Sequence, residues 1–295
     1  MIPTPFVAGA FDPDSFRRLV ERMESHCHGY TLLGSTGEAP SLTLPERMAI
    51  AEAALGMTPP DMQVVVGVSH TSAASSVELA RHAAGCGAAA VLCSAPYYFQ
   101  NTADGVLAFL REIDAAVGTE IVLYDNPVAT KTVIDAQDVV RWSQELEHLN
   151  SVKLTDHRLD KIETWRDAGL RVFAGDDPIA FRYFAAGVDG AMIIAPALCP
   201  RACREAWDAV QEGDLRTAYT VFSREVLPVL HVFGIGDEIM TTKVLLAQLG
   251  VFASTEVRPP LVQVPPDREA LLRLAYQVAT DQATPDLPVE TDGNR

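Results

Sequence analysis

The residue with the most chemistry to offer is Lys153. It closes the short apolar run Asn150-Ser-Val-Lys153. A run this brief, apolar on both faces and rich in β-formers, reads as a strand buried on both sides, and lysines are rarely buried without a purpose. Desolvation disfavours the ammonium, and a neutral amine adds to a ketone to give an imine. Moving such an amine from ~10.4 to ~7–8 costs about 3–4 kcal/mol, which burial can supply. The ordinary alternative is a lysine that snorkels outward or pairs with Asp176 or Asp177.

Other reactive groups also fall where apolar runs end. Tyr124 ends the run Glu120-Ile-Val-Leu-Tyr124, and a phenol there can relay protons during imine formation and C–C cleavage; the plainer reading is an aromatic rim residue. Gly34-Ser35-Thr36-Gly37 offers two hydroxyls and free backbone N–H groups, a nest suited to a carboxylate, or else a simple β/α turn. Asp176 and Asp177 read as an acid/base pair or as caps for the helix that follows them. Gly85-Cys-Gly87-Ala-Ala-Ala90 precedes a strand instead of following one, which is wrong for dinucleotide phosphates. The i, i+4 pairs Cys199/Cys203 and His82/Cys86 each fall short of a tetrahedral metal set. The seven histidines show no H-x-H or H-E-x-x-H pattern, and Ser35 lies in no G-x-S-x-G turn.

The elements that must carry these residues alternate. Strands are expected near 30–34, 63–67, 89–93, 120–124, 150–153, 171–174 and 189–194, with a shortened first strand within 1–6. Helices are expected near 13–27, 44–56, 72–86, 102–117, 135–146, 157–168 and 177–186. Thr43 and Glu46 form a capping-box pattern, Asp135 and Ser72 are candidate caps, and Gly56, Gly85, Gly118, Gly169 and Gly187 read as helix ends. Eight β/α units in about 210 residues predict an α/β chain folded as a (β/α)8 TIM barrel, with a doubly wound open sheet as the less regular rival. The barrel is expected over 1–213 and a C-terminal helical extension over 214–283, broken at Gly234-Ile-Gly236. Residues 284–295 are expected to be a disordered tail. In a barrel of this kind the site lies at the C-terminal ends of the strands, where Lys153 and Tyr124 fall.

Composition narrows the partners. Of 295 residues 48% are hydrophobic, enough for a large core, and 39 acidic against 23 basic residues give a net charge of −16. Such a surface argues against nucleic acid and anionic membranes. No apolar run approaches ~18 residues, so no membrane span is expected. Five cysteines without a C-x-x-C, and a start without a secretory pattern, predict reduced thiols in the cytoplasm.

Taken in order, Gly34-Ser-Thr-Gly-Glu38, Pro96-Tyr-Tyr98, Tyr124-Asp-Asn-Pro127, Val152-Lys153 and Gly175-Asp-Asp177 resemble the dihydrodipicolinate synthase / N-acetylneuraminate lyase family across roughly residues 3–250. The resemblance implies a barrel, a pyruvate-type Schiff base with no other cofactor and no metal, and a homotetramer. It implies that Lys153 is the imine lysine, that Ser35 and Thr36 bind the pyruvate carboxylate, that Tyr124 relays the proton, and that Tyr98 reaches a neighbouring subunit's site. Ile194, in the loop after the last strand, is expected against the substrate. Three positions depart from the synthase pattern. Ala129 stands where the synthase carries an arginine for its second substrate's carboxylate, with Lys131 one or two residues out of place. Ile193-Ile194-Ala195-Pro196 is apolar where neuraminate lyases carry small and hydroxyl residues. Gly-Ser-Thr-Gly is closer to the lyase and sugar-acid aldolase branches than to the Thr-Thr of the synthase. The expectation is therefore a 2-oxo-acid or 2-keto-3-deoxy sugar-acid aldolase or dehydratase. Dihydrodipicolinate synthase itself and a non-catalytic 2-oxo-acid binder are the alternatives, with a metal-dependent lyase as a further rival.

Overall fold

A computed structural model of the chain describes residues 1–233 and 237–281. The chain opens with a small antiparallel hairpin, β1 (Phe6–Val7) and β2 (Ala10–Phe11). Seven parallel strands follow, each paired with its successor: β3 (Gly29–Leu32), β4 (Gln63–Gly67), β5 (Ala90–Ser94), β6 (Glu120–Asp125), β7 (Leu149–Leu154), β8 (Arg171–Ala174) and β9 (Gly190–Ala191). Helices cross between them: α1 (Pro13–Met23), α2 (Leu44–Met57), α3 (Ala73–Gly85), α4 (Ala103–Asp114), the single turn α5 (Pro127–Thr130), α6 (Ala136–Glu145), α7 (Asp160–Asp167) and α8 (Ala180–Ala185). This curled parallel sheet with helices around it is the (β/α)8 barrel fold.

Two expected strands differ. No first strand joins the sheet. Instead the extended residues Met1 and Ile2 bridge its two edges: Ile2 N–H donates to Thr31 O at 3.1 Å and the Met1 amine donates to Ile193 O at 2.7 Å. The last strand stops after Ala191, short of 194, because the backbone turns so that Ile194 N–H can bond a side chain, described below.

The barrel has two apolar layers. Met1, Ala90, Leu92, Val122, Tyr124, Met192 and Ile194 pack inside the sheet. A far larger core lies between strands and helices, around the fully buried Trp142 and Trp165. Helix starts follow ordinary capping chemistry. Thr43 and Glu46 make the reciprocal capping box and Asp135 accepts from Gln137 N–H. Ser72 does not cap with its side chain; its own N–H donates to His70 Nδ1 at 2.9 Å. Of the five glycines expected at helix ends, Gly169 and Gly187 take the left-handed conformation, while Gly87 takes it in place of Gly85.

After β9 come α9 (Ala195–Leu198), α10 (Pro200–Gln211) and α11 (Leu215–Val221). A π-turn (Phe222–Val226), α12 (Leu227–Phe233), α13 (Glu238–Gln248) and α14 (Pro266–Asp281) complete the series. The expected break at 234–236 and the expected tail from 284 lie outside the described residues. No helix among the described residues is long and apolar enough to cross a membrane.

Candidate active site

Register alone puts the two central residues side by side. In the parallel β6–β7 pairing Tyr124 is the partner of Lys153, so both side chains leave the same face of adjacent strands, here the barrel interior. Lys153 is 2% exposed, and its Nζ sits 4.1 Å from the centroid of the Tyr124 ring. Among the described residues its amine makes no salt bridge or hydrogen bond, although the buried carboxyls of Asp177 and Glu238 act on it at longer range. The two acids that offered the bland explanation are occupied elsewhere. Asp176 bonds His157 at 2.9 Å. Asp177 accepts from Ile194 N–H at 3.0 and 2.9 Å and from Ala195 N–H at 2.7 Å. Asp177 therefore caps α9, on the next β/α loop, and not the helix after its own strand. Burial pushes its carboxyl above the usual range and those N–H groups pull it back.

Gly175 makes room for the lysine. A Cβ there would lie 2.9 Å from Lys153 Cε, 2.7 Å from Thr155 Cγ2 and 2.8 Å from Leu154 O. The Tyr124 hydroxyl accepts from Asn126 Nδ2 at 2.9 Å. Asn126 in turn holds the start of α5 by accepting from Ala129 N–H at 3.0 Å. This asparagine, two residues beyond Tyr124, was not singled out from sequence.

The turn after β3 begins at Leu33, whose φ of 55° bends the chain. Thr36 is buried and Ser35 exposed. Glu38 N–H donates to Ser35 O at 3.0 Å and closes the turn. Among the described residues neither the hydroxyls of Ser35 and Thr36 nor the N–H groups of residues 35–37 have a partner. Donors left free in this way can hold an anion.

Ile194 packs its side chain in the inner layer with Tyr124 and Met192, while its N–H is taken by Asp177. Tyr98 stands apart from this group: it is 77% exposed, has a φ of 94°, and meets Phe99 edge-on at 5.1 Å. Its hydroxyl and that of Ser35 make no bond to Tyr124 within this chain. Ala129 and Lys131 are both exposed on the loop after β6. A cavity of about 420 Å³ lies at the opposite, N-terminal end of the strands, near Gly29, Gln63, Glu120 and Arg171, away from these residues. Among the described residues no group of three or more His, Cys, Asp or Glu is placed to hold a metal.

Two further buried lysines escaped the sequence reading. Lys161 bonds Asp125 and Asp156, each at 2.8 Å, and Lys243 pairs with Glu38.

The model of the dihydrodipicolinate synthetase family matches residues 1–278. The chain belongs to that family. Membership makes it an enzyme of the class I aldolase type, a carbon–carbon lyase. A 4-hydroxy-tetrahydrodipicolinate synthase of Methylobacterium radiotolerans is 32% identical over 265 residues, 88% of each protein. A 4-hydroxy-tetrahydrodipicolinate synthase 1 of Streptomyces coelicolor is 33% identical, over 94% of this chain and 92% of that protein. Among solved structures, dihydrodipicolinate synthase of Aquifex aeolicus superposes with a TM-score of 0.88 at 26% identity, covering 94% of this chain and 95% of that one. A monomeric dihydrodipicolinate synthase variant matches with the same TM-score at 25% identity, covering 94% of each. The names of these family members favour the synthase alternative over the broader aldolase or dehydratase expectation.

Proposed function

We propose that this family member makes or breaks a carbon–carbon bond next to an imine formed between pyruvate and Lys153. The observation that carries the reading is the buried Lys153 amine, stacked on Tyr124 and making no salt bridge. In this reading the pyruvate carboxylate docks on the Ser35 and Thr36 hydroxyls and the free N–H groups of their turn. The amine adds to the C2 ketone and one water leaves. The protonated imine is then the electron sink: a C3 proton departs, and the resulting enamine carbon attacks an aldehyde. Tyr124, held by Asn126, moves the protons. Ile194 walls the pocket with its side chain. Hydrolysis releases the product and restores the lysine, so the imine is the only cofactor-like group required.

For the partner, the relatives' names support aspartate semialdehyde. One observation favours a second reading, an aldolase or dehydratase taking a less polar or shorter partner or a 2-keto-3-deoxy sugar acid. Ala129 offers no cation where the synthase arginine is expected, and its neighbour Val128 is 90% exposed. We also propose a homotetramer in the cytoplasm. Exposed Tyr98, Phe99, Val128 and Val133, on loops that Asn101 ties together through Pro96 O and Thr132 Oγ1, support a subunit contact that would carry Tyr98 to a partner's site. Five free cysteines suit a reducing compartment.

The deciding experiment is intact mass after pyruvate and borohydride. A single reduced adduct on the wild type, mapping to the Lys153 peptide and absent from Lys153→Ala, is expected. No adduct on either protein overturns the reading and moves weight to a binder or a metal-dependent lyase. A biosynthetic rate with pyruvate and aspartate semialdehyde selects the synthase, and its absence selects the second reading. A sedimentation mass of one subunit removes the tetramer and the cross-subunit role of Tyr98.

A further inference from the structure

We propose that Lys243 is a positioning residue for the substrate carboxylate: acting through Glu38, it holds the Ser35–Gly37 turn in its binding shape, so that the C-terminal helices complete the pyruvate site. The inference rests on the reading that this turn binds pyruvate.

The turn is held mainly through its last residue. Glu38 has a φ of 57°, a left-handed conformation that an L residue with a long side chain adopts reluctantly. Its side chain is buried, and both carboxylate oxygens are engaged by residues far along the chain. Oε1 pairs with Lys243 Nζ on α13. Oε2 accepts from Arg258 N–H at 2.7 Å, across 220 residues of sequence.

Lys243 is itself wholly buried. It donates to Glu256 O at 2.7 Å and lies 4.4 Å from the Phe6 ring centroid. The Arg258 guanidinium continues the link. It donates to Gly9 O at 2.6 Å and to Glu46 Oε1 at 2.7 Å, and Glu46 belongs to the capping box of α2. On the other side Thr4 Oγ1 donates to Gly37 O at 2.7 Å. The turn is thus clamped by the hairpin segment, the start of α2, α13 and the stretch 256–258.

The free N–H groups of residues 35–37 act on an anion only while their directions converge, and within the turn only two backbone bonds, Glu38 N–H to Ser35 O and Ala39 N–H to Gly34 O at 3.2 Å, hold them. A carboxylate buried without its lysine draws in water or a proton. Either outcome rotates Glu38 and, with it, the donors immediately before it. Lys153 and Tyr124 sit on strands that this clamp does not touch. The expected signature is therefore weakened pyruvate capture with imine chemistry preserved.

The test measures three quantities on wild type, Lys243→Met and the double variant Glu38→Gln/Lys243→Met. They are the pyruvate concentration that half-saturates borohydride-trapped imine, the trapped yield at saturating pyruvate, and the melting temperature. Lys243→Met is expected to raise the half-saturating concentration at least tenfold with near-complete yield at saturation. The double variant removes the stranded charge. It is expected to regain melting temperature while its half-saturation stays raised. Half-saturation within twofold of wild type in either variant, whatever the melting temperature does, shows a purely structural staple and overturns the proposal. If Lys243→Met does not fold, the double variant decides by the same criterion. No trapped imine on wild type would instead overturn the pyruvate reading, and the inference with it.

Discussion

Three lysines are buried among the described residues, and their surroundings differ. Inside the barrel Lys153 has an aromatic ring beside it and no carboxylate within salt-bridge reach. On the barrel's flank Lys161 lies between Asp125 and Asp156. Behind the 35–38 turn Lys243 meets Glu38, and there burial lowers its pKa while the glutamate pulls it back up. In the flank pair, burial raises the Asp125 carboxyl and Lys161 opposes that rise. A buried charge needs a partner to be tolerated, and removing one partner strands the other. The paired lysines therefore hold structure in place, Lys161 at the barrel's flank and Lys243 behind the 35–38 turn. The third makes no salt bridge in the same interior, which is why the proposed reaction is assigned to it.

That contrast can be broken by experiment, most sharply at Lys153 itself. Lys153→Ala is expected to lose about 10⁴-fold or more in turnover, as removal of a covalent nucleophile does, while its denaturant midpoint stays close to wild type because no bond to the amine is lost. Unfolding of this variant would erase the distinction. Tyr124→Phe should lower kcat by roughly 10²–10⁴-fold, the usual range for a positioned acid–base group. The imine should still form, though more slowly in borohydride trapping; an unchanged kcat would demote Tyr124 to a wall of the pocket.

Lys161→Met should show the reverse pattern. It leaves Asp125 uncompensated and is expected to cost about 3–5 kcal/mol in urea unfolding, with Asp125→Asn/Lys161→Met recovering part of that loss. A Lys161→Met protein as stable as wild type would refute the architectural assignment. The smallest effect is expected at Asn126. Asn126→Ala removes the hydrogen bond to the Tyr124 hydroxyl, about 1 kcal/mol, along with the side-chain cap of α5, and should reduce kcat about fivefold in steady-state assays without moving the yield of trapped imine.

The strands around the site were readable because parallel strands buried on both faces leave little besides β-formers. The expectations for 63–67, 120–124, 150–153 and 171–174 fall within a residue of β4, β6, β7 and β8. The alignment of Tyr124 with Lys153 was also within reach, since both end such runs. Long-range side-chain partnerships left no comparable trace. Nothing local announces that Lys161 will meet Asp125, 36 residues earlier, or that Asp177 will cap a helix in the next loop. Ser72 has the right type for a cap, but nearby His70 bonds its N–H instead. Gly85 lost its expected place to Gly87 because α3 continues through Gly85, and the chain bends only two residues later. The absent first strand was misread for a different reason: Ile2 and the Met1 amine do bond the two sheet edges, but too briefly to form a ladder.

One feature of the β6–β7 region reaches beyond catalysis. Lys153 and Tyr124 are held by ladder hydrogen bonds, whereas the residues after β6 leave the sheet in a single turn on which Val128, Ala129 and Lys131 are exposed, Val128 almost fully. On the proposed reading, capture of the ketone and choice of its partner sit a few residues apart in separate mechanical regimes. Substitutions at 128, 129 and 131 fall outside the framework that holds Lys153. On that reading, a lineage carrying this barrel exchanges one aldehyde for another through point changes in a single loop while keeping its carbon–nitrogen chemistry.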